Sequence, residues 1–189
     1  MRLKLTIGPM FSGKSTEGIC TANHHAGLGG KVLFLRPGVD TRDGVGAHSF
    51  SSLHPDVVQA RAETIASVDP TGYDAIVIDE SQFFNDLTLV TEWEEKIAVL
   101  HVCGLDGDYM QRPFPSIANL IPYADEITKR KARCLGIDGC GCPDYSHREE
   151  AVLTQRTVQS SDLILIGAAD AYRAVCRSCS RQRLVSEAN

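Results

Sequence analysis

Eight residues near the start of the chain, Gly8-Pro9-Met10-Phe11-Ser12-Gly13-Lys14-Ser15, fit the spacing G-x-x-x-x-G-K-S/T. Glycines let such a loop curl until several backbone N–H groups point at one phosphate chain, and the helix that follows adds its positive end. The lysine reaches the β- and γ-phosphates, and the hydroxyl after it ligates Mg²⁺. The run from Gly8 to Thr16 therefore points to a nucleoside triphosphate bound with Mg²⁺. Further along, Asp79 closes the apolar run "AIVI" and Glu80 follows at once. A carboxylate in the place of Asp79 supplies a second Mg²⁺ contact in phosphate-loop proteins. Side chains of neighbouring residues diverge at a strand end, so Glu80 is available for a different task, accepting a proton from a nucleophile. That nucleophile is water in an ATPase and a substrate hydroxyl in a kinase. The two motifs alone do not choose between them.

The third chemical feature is sulfur. Cys176-x-x-Cys179 is half of a zinc knuckle, and a structural zinc takes four ligands in a tetrahedron. The other half has to come from Cys134, Cys140 and Cys142, with His147 a further candidate; the spacing leaves the choice open. Cys20 and Cys103 fall in an expected helix and strand, where a cysteine serves as a small core residue.

These groups need elements to position them. "LKLTI" (3–7) alternates like a strand, and a helix is expected from about Gly13 to "GLGG". "KVLFLR" and "DAIVID" are continuous apolar runs, the mark of strands buried on both faces. Leu87, Val90, Trp93 and Ile97 recur at helical spacing before a further strand, "AVLHVCGL". Strands alternating with helices predict an α/β fold, a doubly wound, mostly parallel sheet of the P-loop kind. Ligands bind such sheets at the C-terminal ends of the strands, where "IGPMF", "VIDESQFF" and "CGLDGDY" all lie. "PGVDTRDGVGAHS" reads as a flexible loop. After Pro122 the texture changes. "EITKRKARC" and "LILIGA" look like strands around a Gly- and Cys-rich stretch, so residues 1–122 are expected to form the nucleotide-binding domain and 123–189 a small β-rich, zinc-binding one.

The chain has 189 residues with 43% hydrophobic content and a net charge of -5. That length supports a sizeable core without disulfides. The acidic balance disfavours non-specific nucleic-acid binding, which needs clustered Lys and Arg, and "TKRKAR" reads as a strand with one solvated basic face. No apolar run approaches the ~20 residues of a membrane span, and no signal peptide opens the chain, so a cytoplasmic location is expected. In a reducing compartment seven cysteines suit free thiols or metal ligands.

The motifs in order, "GPMFSGKST", "VDTRD", "DESQFF", "GLDGDYMQRPF", "EAVLTQR" and "IGAADAYRAVCRSC", resemble the cytosolic (type II) thymidine kinase family from about Leu5 to Cys179. The resemblance implies ATP as donor, thymidine as acceptor (with deoxyuridine a second), nucleotide salvage for DNA synthesis, a homotetramer and feedback inhibition by thymidine triphosphate. It implies that Lys14, Ser15 and Asp79 hold ATP and Mg²⁺, that Glu80 takes the proton of the nucleoside 5′-hydroxyl, and that Met10, Phe83, Leu105 and Tyr109 line the thymine pocket, with Phe114 near it. It places Thr154 and Tyr172 on a closing loop, with backbone groups near Leu165 and Gly167 on the base edge. It sets Arg42, in the loop of Asp40, and Arg156 near the phosphates and that closing loop. A zinc ion would fix both roots of the loop. Aromatic walls suit a flat, uncharged base, although for Phe84 a place in the core is the simpler reading. Ser81 departs from the Gly or Ala usual in the family's D-E-x-Q. The competing reading from the residues is a P-loop ATPase with a zinc ribbon acting on nucleic acid; it uses the same Lys14, Asp79 and Glu80 but needs a basic channel. A zinc-ribbon interaction module without catalysis would leave the phosphate loop unexplained.

Overall fold

The computed structural model describes residues 1–40, 52–136, 150–158 and 171–186. They divide into two compact units: Met1–Ile7, Lys14–Asp106 and Phe114–Lys129 in the first, and Gly8–Gly13, Gly107–Pro113 and Arg130–Asn189 in the second.

The first unit is an α/β layer. Its strands are β1 (Arg2–Ile7), β2 (Val32–Pro37), β3 (Val57–Ala62), β4 (Ala75–Ile78), β5 (Val99–Gly104) and β6 (Glu126–Lys129). They lie in the order β3-β2-β4-β5-β1-β6, and every neighbouring pair is parallel. One face carries helix α1 (Lys14–Gly27), whose Ile19, Ala22 and Ala26 pack on Val32, Phe34, Val57, Ala75 and Val77. The opposite face, with Leu3, Leu5, Leu33, Leu35, Ile76, Ile78, Leu100 and Val102, meets Phe84, Leu87, Val90, Trp93, Ile117 and Leu120. Both faces are covered, so β2 and β4 are buried throughout; β4 is wholly apolar, and β2 is apolar but for Arg36, which pairs with Asp40.

The alternation in β1 has another cause. Leu3, Leu5 and Ile7 join the apolar face, while Lys4 and Thr6 enter a polar layer beneath α1. There Thr6 Oγ1 lies 2.8 Å from His101 Nε2, and His101 Nδ1 lies 2.9 Å from Thr21 Oγ1. Lys4 pairs with Glu17 of α1 at 2.6 Å. Both ring nitrogens of His101 are engaged and the side chain is buried. Burial first, and the charge of Lys4 second, push its pKa down to about 4.

Three elements differ from the expectation. Leu87–Trp93 is a 3₁₀ helix in which Leu87, Val90 and Trp93 are buried; a spacing of three stacks them on one side of a three-residue turn. Strand β3, where no element was expected, is an edge strand with Val58, Gln59 and Arg61 exposed. "EITKRKARC" is not one strand: β6 ends at Lys129, and a two-residue strand β7 (Ala132–Arg133) begins after a break. Within the expected loop, Pro37 to Asp40 is described as a turn, and residues 41–51 lie outside the description, as does "LILIGA". Cys103 is buried as expected, but Cys20 is exposed; on α1 it falls beside the buried stripe of Ile19, Ala22 and Ala26 rather than on it.

In the second unit β7 pairs antiparallel with β8 (Glu150–Ala151), and β9 (Leu153–Arg156) pairs antiparallel with β10 (Tyr172–Val175). Helix α2 (Arg177–Ser186) follows. Among the described residues the core here holds Ala132, Ala151, Ala174 and Val175 with Cys134, Cys176 and Cys179. Among the described residues no helix is long and apolar enough to cross a membrane.

The buried imidazole sets a pH dependence. The folded chain protonates His101 only near pH 4, against 6.5 for an unperturbed histidine, so the unfolded chain takes up that proton first as pH falls. Its contribution is whole above about 6.5 and lost toward 4, amounting to about 2 kcal/mol between pH 7.5 and 5. The difference in urea unfolding free energy between wild type and His101→Gln should therefore narrow over that interval; a constant difference would assign the slope to other groups.

Candidate active site and metal centre

The loop after β1 is bent where the motif needs it. Gly8 has φ 148°, Phe11 φ 62° and Gly13 φ 79°. Phe11 has no glycine freedom, and a side-chain-bearing residue held left-handed costs on the order of 1 kcal/mol. Ser12 Oγ donates to the Pro9 carbonyl at 2.8 Å, tying the loop to itself. The Met10 N–H donates to Thr154 Oγ1 at 3.0 Å.

Lys14 and Ser15 open α1 in the first unit, and Asp79 follows β4. Lys14 and Asp79 are both buried. Burial lowers the Lys14 pKa, against the opposing pull of the Glu80 and Asp79 charges. Burial, then the charge of Glu80, push Asp79 up to about 7, while a hydrogen bond from Ser15 and the charge of Lys14 act the other way. Asp79 Oδ2 is buried without a hydrogen-bond partner. A bare carboxylate oxygen with the Ser15 hydroxyl near it is a fitting pair of ligands for Mg²⁺, which prefers hard oxygens. Thr16, one residue on, is exposed.

Glu80 sits in the left-handed region, φ 49° and ψ 37°, at the entry to the 3₁₀ turn Ser81–Phe83. That bend lifts its side chain out of the strand's alternation. Gln82 Nε2 donates to Glu80 Oε2 at 2.6 Å, and Gln82 Oε1 accepts from the Leu105 N–H at 3.0 Å. Gln82 thus joins the acid at the end of β4 to the end of the neighbouring β5. It stands in the quoted "DESQFF" block without an expected role; two residues beyond Glu80 in a turn was the signal available. Ser81 is buried and its Oγ donates to the Cys103 carbonyl at 2.8 Å, so the departure at this position adds a bond to β5. Phe84 is fully buried in the core. Phe83, Leu105 and Phe114 are half-buried, and Phe114 packs against that same core.

In the second unit Thr154 and Arg156 lie on β9 and Tyr172 on β10. Thr154 and Tyr172, expected on a closing loop, are instead in a ladder that pairs Tyr172 with Arg156 and Ala174 with Thr154. The Arg156 guanidinium stacks 3.9 Å from the centre of the Tyr109 ring, and its Nη2 donates to the Tyr172 hydroxyl at 2.9 Å. Stacking plus a planar donor is a geometry that arginine alone provides.

Cys134, Cys176 and Cys179 have their sulfurs within 4.8 Å of one another, all buried. Cys134 and Cys179 Sγ are 3.6 Å apart. Sulfurs around a tetrahedral zinc at about 2.3 Å lie about 3.8 Å from each other. The Cys176 N–H points to Cys134 Sγ at 3.2 Å and the Cys179 N–H to Cys176 Sγ at 3.5 Å. Backbone donors on sulfur favour the thiolate a metal requires. The three residues fit a zinc ion that takes a fourth ligand.

Comparison with known proteins decides among P-loop chemistries. The family model described as thymidine kinase matches residues 1–180. The chain belongs to the thymidine kinase family. It is 32% identical to the thymidine kinase of raccoon poxvirus, over 94% of this chain and 95% of that one. It is 36% identical to thymidine kinase a of Arabidopsis thaliana, over 90% of this chain and 71% of that one. The thymidine kinase of myxoma virus is 32% identical over 94% and 95%. A member of this family is a kinase, so the acceptor of the phosphoryl group is a substrate rather than water.

Of the residues expected in a thymidine kinase site, Arg42, Leu165 and Gly167 lie outside the described residues, as do Cys140, Cys142 and His147. The fourth zinc ligand is therefore to be found by experiment. Purified protein should carry about one zinc per chain, and Cys179→Ser should bring that below half on metal analysis. A wild type without zinc would remove the metal from this cluster.

Proposed function

We propose that this chain transfers the γ-phosphate of ATP to the 5′-hydroxyl of thymidine, with deoxyuridine a second acceptor. The observation that carries the reading is the group at the sheet edge: buried Lys14 and Asp79 with Glu80 turned out of the strand and held by Gln82. Family membership supports a nucleoside acceptor.

The amides of Gly8 to Gly13 and the Lys14 ammonium bind the phosphates; Pro9, Phe11, Ser12 and Thr16 belong to the same binding segment. Ser15 and Asp79 would hold Mg²⁺, which supplies positive charge to the phosphate oxygens when bound. Glu80 accepts the proton of the 5′-hydroxyl as that oxygen attacks, and Gln82 keeps the carboxylate oriented for it. Arg42 adds charge at the phosphates. The resemblance assigns the base to Met10, Phe83, Leu105 and Tyr109 with Phe114 near them, and the rest of the nucleoside to Thr154, Arg156, Tyr172 and the backbone at Leu165 and Gly167. Exclusion of water from the reacting groups favours the sugar alcohol over hydrolysis. The product, thymidine monophosphate, enters DNA precursor supply through salvage. The resemblance to type II enzymes supports a cytoplasmic homotetramer inhibited by thymidine triphosphate.

The test is incubation with ATP, Mg²⁺ and each nucleoside in turn. Thymidine monophosphate is the expected product, while ATP hydrolysis stimulated by nucleic acid would overturn the reading. Glu80→Gln should retain ATP binding and lose about 10²–10⁴-fold in turnover, the usual range for a general base; near-normal turnover would take Glu80 out of its role.

A further inference from the structure

The run "TKRKAR" reads from sequence as one solvated basic face, and the structure breaks it into separate tasks. Lys129 pairs with Asp106 and Lys131 with Glu150. Arg130 does something different. Its Nε donates to the Ser12 carbonyl in the phosphate loop at 2.8 Å. One of its Nη atoms lies 3.4 Å from where a Cβ on Gly13 would stand. A Cβ on Gly8 would run into the Arg130 carbonyl oxygen. Arg130 thus meets the loop at both of its glycines and at the peptide between Ser12 and Gly13.

A loop that binds phosphate must turn its N–H groups inward, which leaves its carbonyls facing outward in need of donors. Two outward carbonyls have them here: Pro9 from Ser12 Oγ, and Ser12 from Arg130. The second donor is charged, and charge-assisted hydrogen bonds are roughly twice as strong as neutral ones. The Ser12 carbonyl belongs to the same peptide unit as the Gly13 N–H. A cation on that oxygen polarises the unit and makes the N–H a better donor to an anion.

We infer that Arg130 is a positioning residue for the phosphate loop, holding and polarising the Ser12–Gly13 peptide so that its N–H binds the phosphates of ATP more tightly. The inference rests on reading Gly8–Ser15 as the phosphate loop. Arg130 acts through the peptide and is not assigned a contact with substrate.

The test is calorimetric titration of MgATP and of thymidine into the full-length wild type, Arg130→Met and Arg130→Lys, with thermal unfolding of each. Arg130→Met keeps the aliphatic stem and loses both donors and charge; it should weaken MgATP by about fivefold, the scale of one net hydrogen bond. Arg130→Lys keeps the charge and should recover part of that loss. Each variant should still unfold in one cooperative transition, thymidine affinity should stay at the wild-type value, and KM for ATP should rise while KM for thymidine does not. Unchanged MgATP binding in Arg130→Met overturns the inference, as does an equal loss for thymidine, which a purely structural residue would produce. A wild type that binds no MgATP would instead overturn the phosphate-loop reading and take the inference with it.

Discussion

A lysine and an aspartate buried beside each other at the C-terminal edge of a parallel sheet are the constraint from which the rest of the first unit follows. Taking either charge out of water alone costs several kcal/mol, and their mutual attraction repays this only with good geometry and further partners. Lys14 and Asp79 each feel that cost, in opposite directions. Ser15 supplies one further partner, and Asp79 Oδ2 still has none. The sheet tolerates the arrangement because β1, β4 and β5 are adjacent and parallel, so their chain exits share one edge. The apolar layers on both faces keep that edge rigid, and a rigid dry edge is where a cation and a phosphate chain gain most from fixed charges.

Around this pair the backbone departs from easy conformations. Phe11 and Glu80 are both held left-handed. Strain of about 1–3 kcal/mol per residue persists only where surrounding bonds over-determine it, and such residues cluster where function needs a side chain or amide aimed against the local rule. At Glu80 those bonds are Gln82 to the carboxylate, Leu105 to Gln82, and Ser81 to the Cys103 carbonyl. They link the turn after β4 to the end of β5, so the acid is positioned by the spacing of two strands rather than by its own loop.

The second unit is organised differently. Among the described residues its core is mostly alanine, valine and cysteine. Three buried sulfurs with backbone donors fit a metal, whose binding would add directly to folding stability. On β9 and β10, Arg156 links Tyr109 and Tyr172 through one stack and one hydrogen bond. Among the described residues of this unit, Arg156 and Arg130 each connect segments far apart in sequence.

By itself the sequence determined the elements whose signal is local. The glycine spacing with Lys14 and Ser15, the unbroken apolar runs of β2 and β4, the acid pair ending β4 and the helix to the glycines after Ala26 were all legible. Each is set by a few neighbouring residues and a fixed period. Only the tertiary structure decided the rest. Thr6 and His101 form a buried polar layer that alternation cannot distinguish from a solvated face. Cys20 is exposed by a single step around α1. Thr154 and Tyr172 became strand residues because their partners lie across a ladder, and Gln82 and Arg130 acquired roles because Leu105 and Ser12 are brought to them. Hydrogen bonds between residues 23 and 118 positions apart leave no periodic trace along the chain, since only folding sets the distance between their ends.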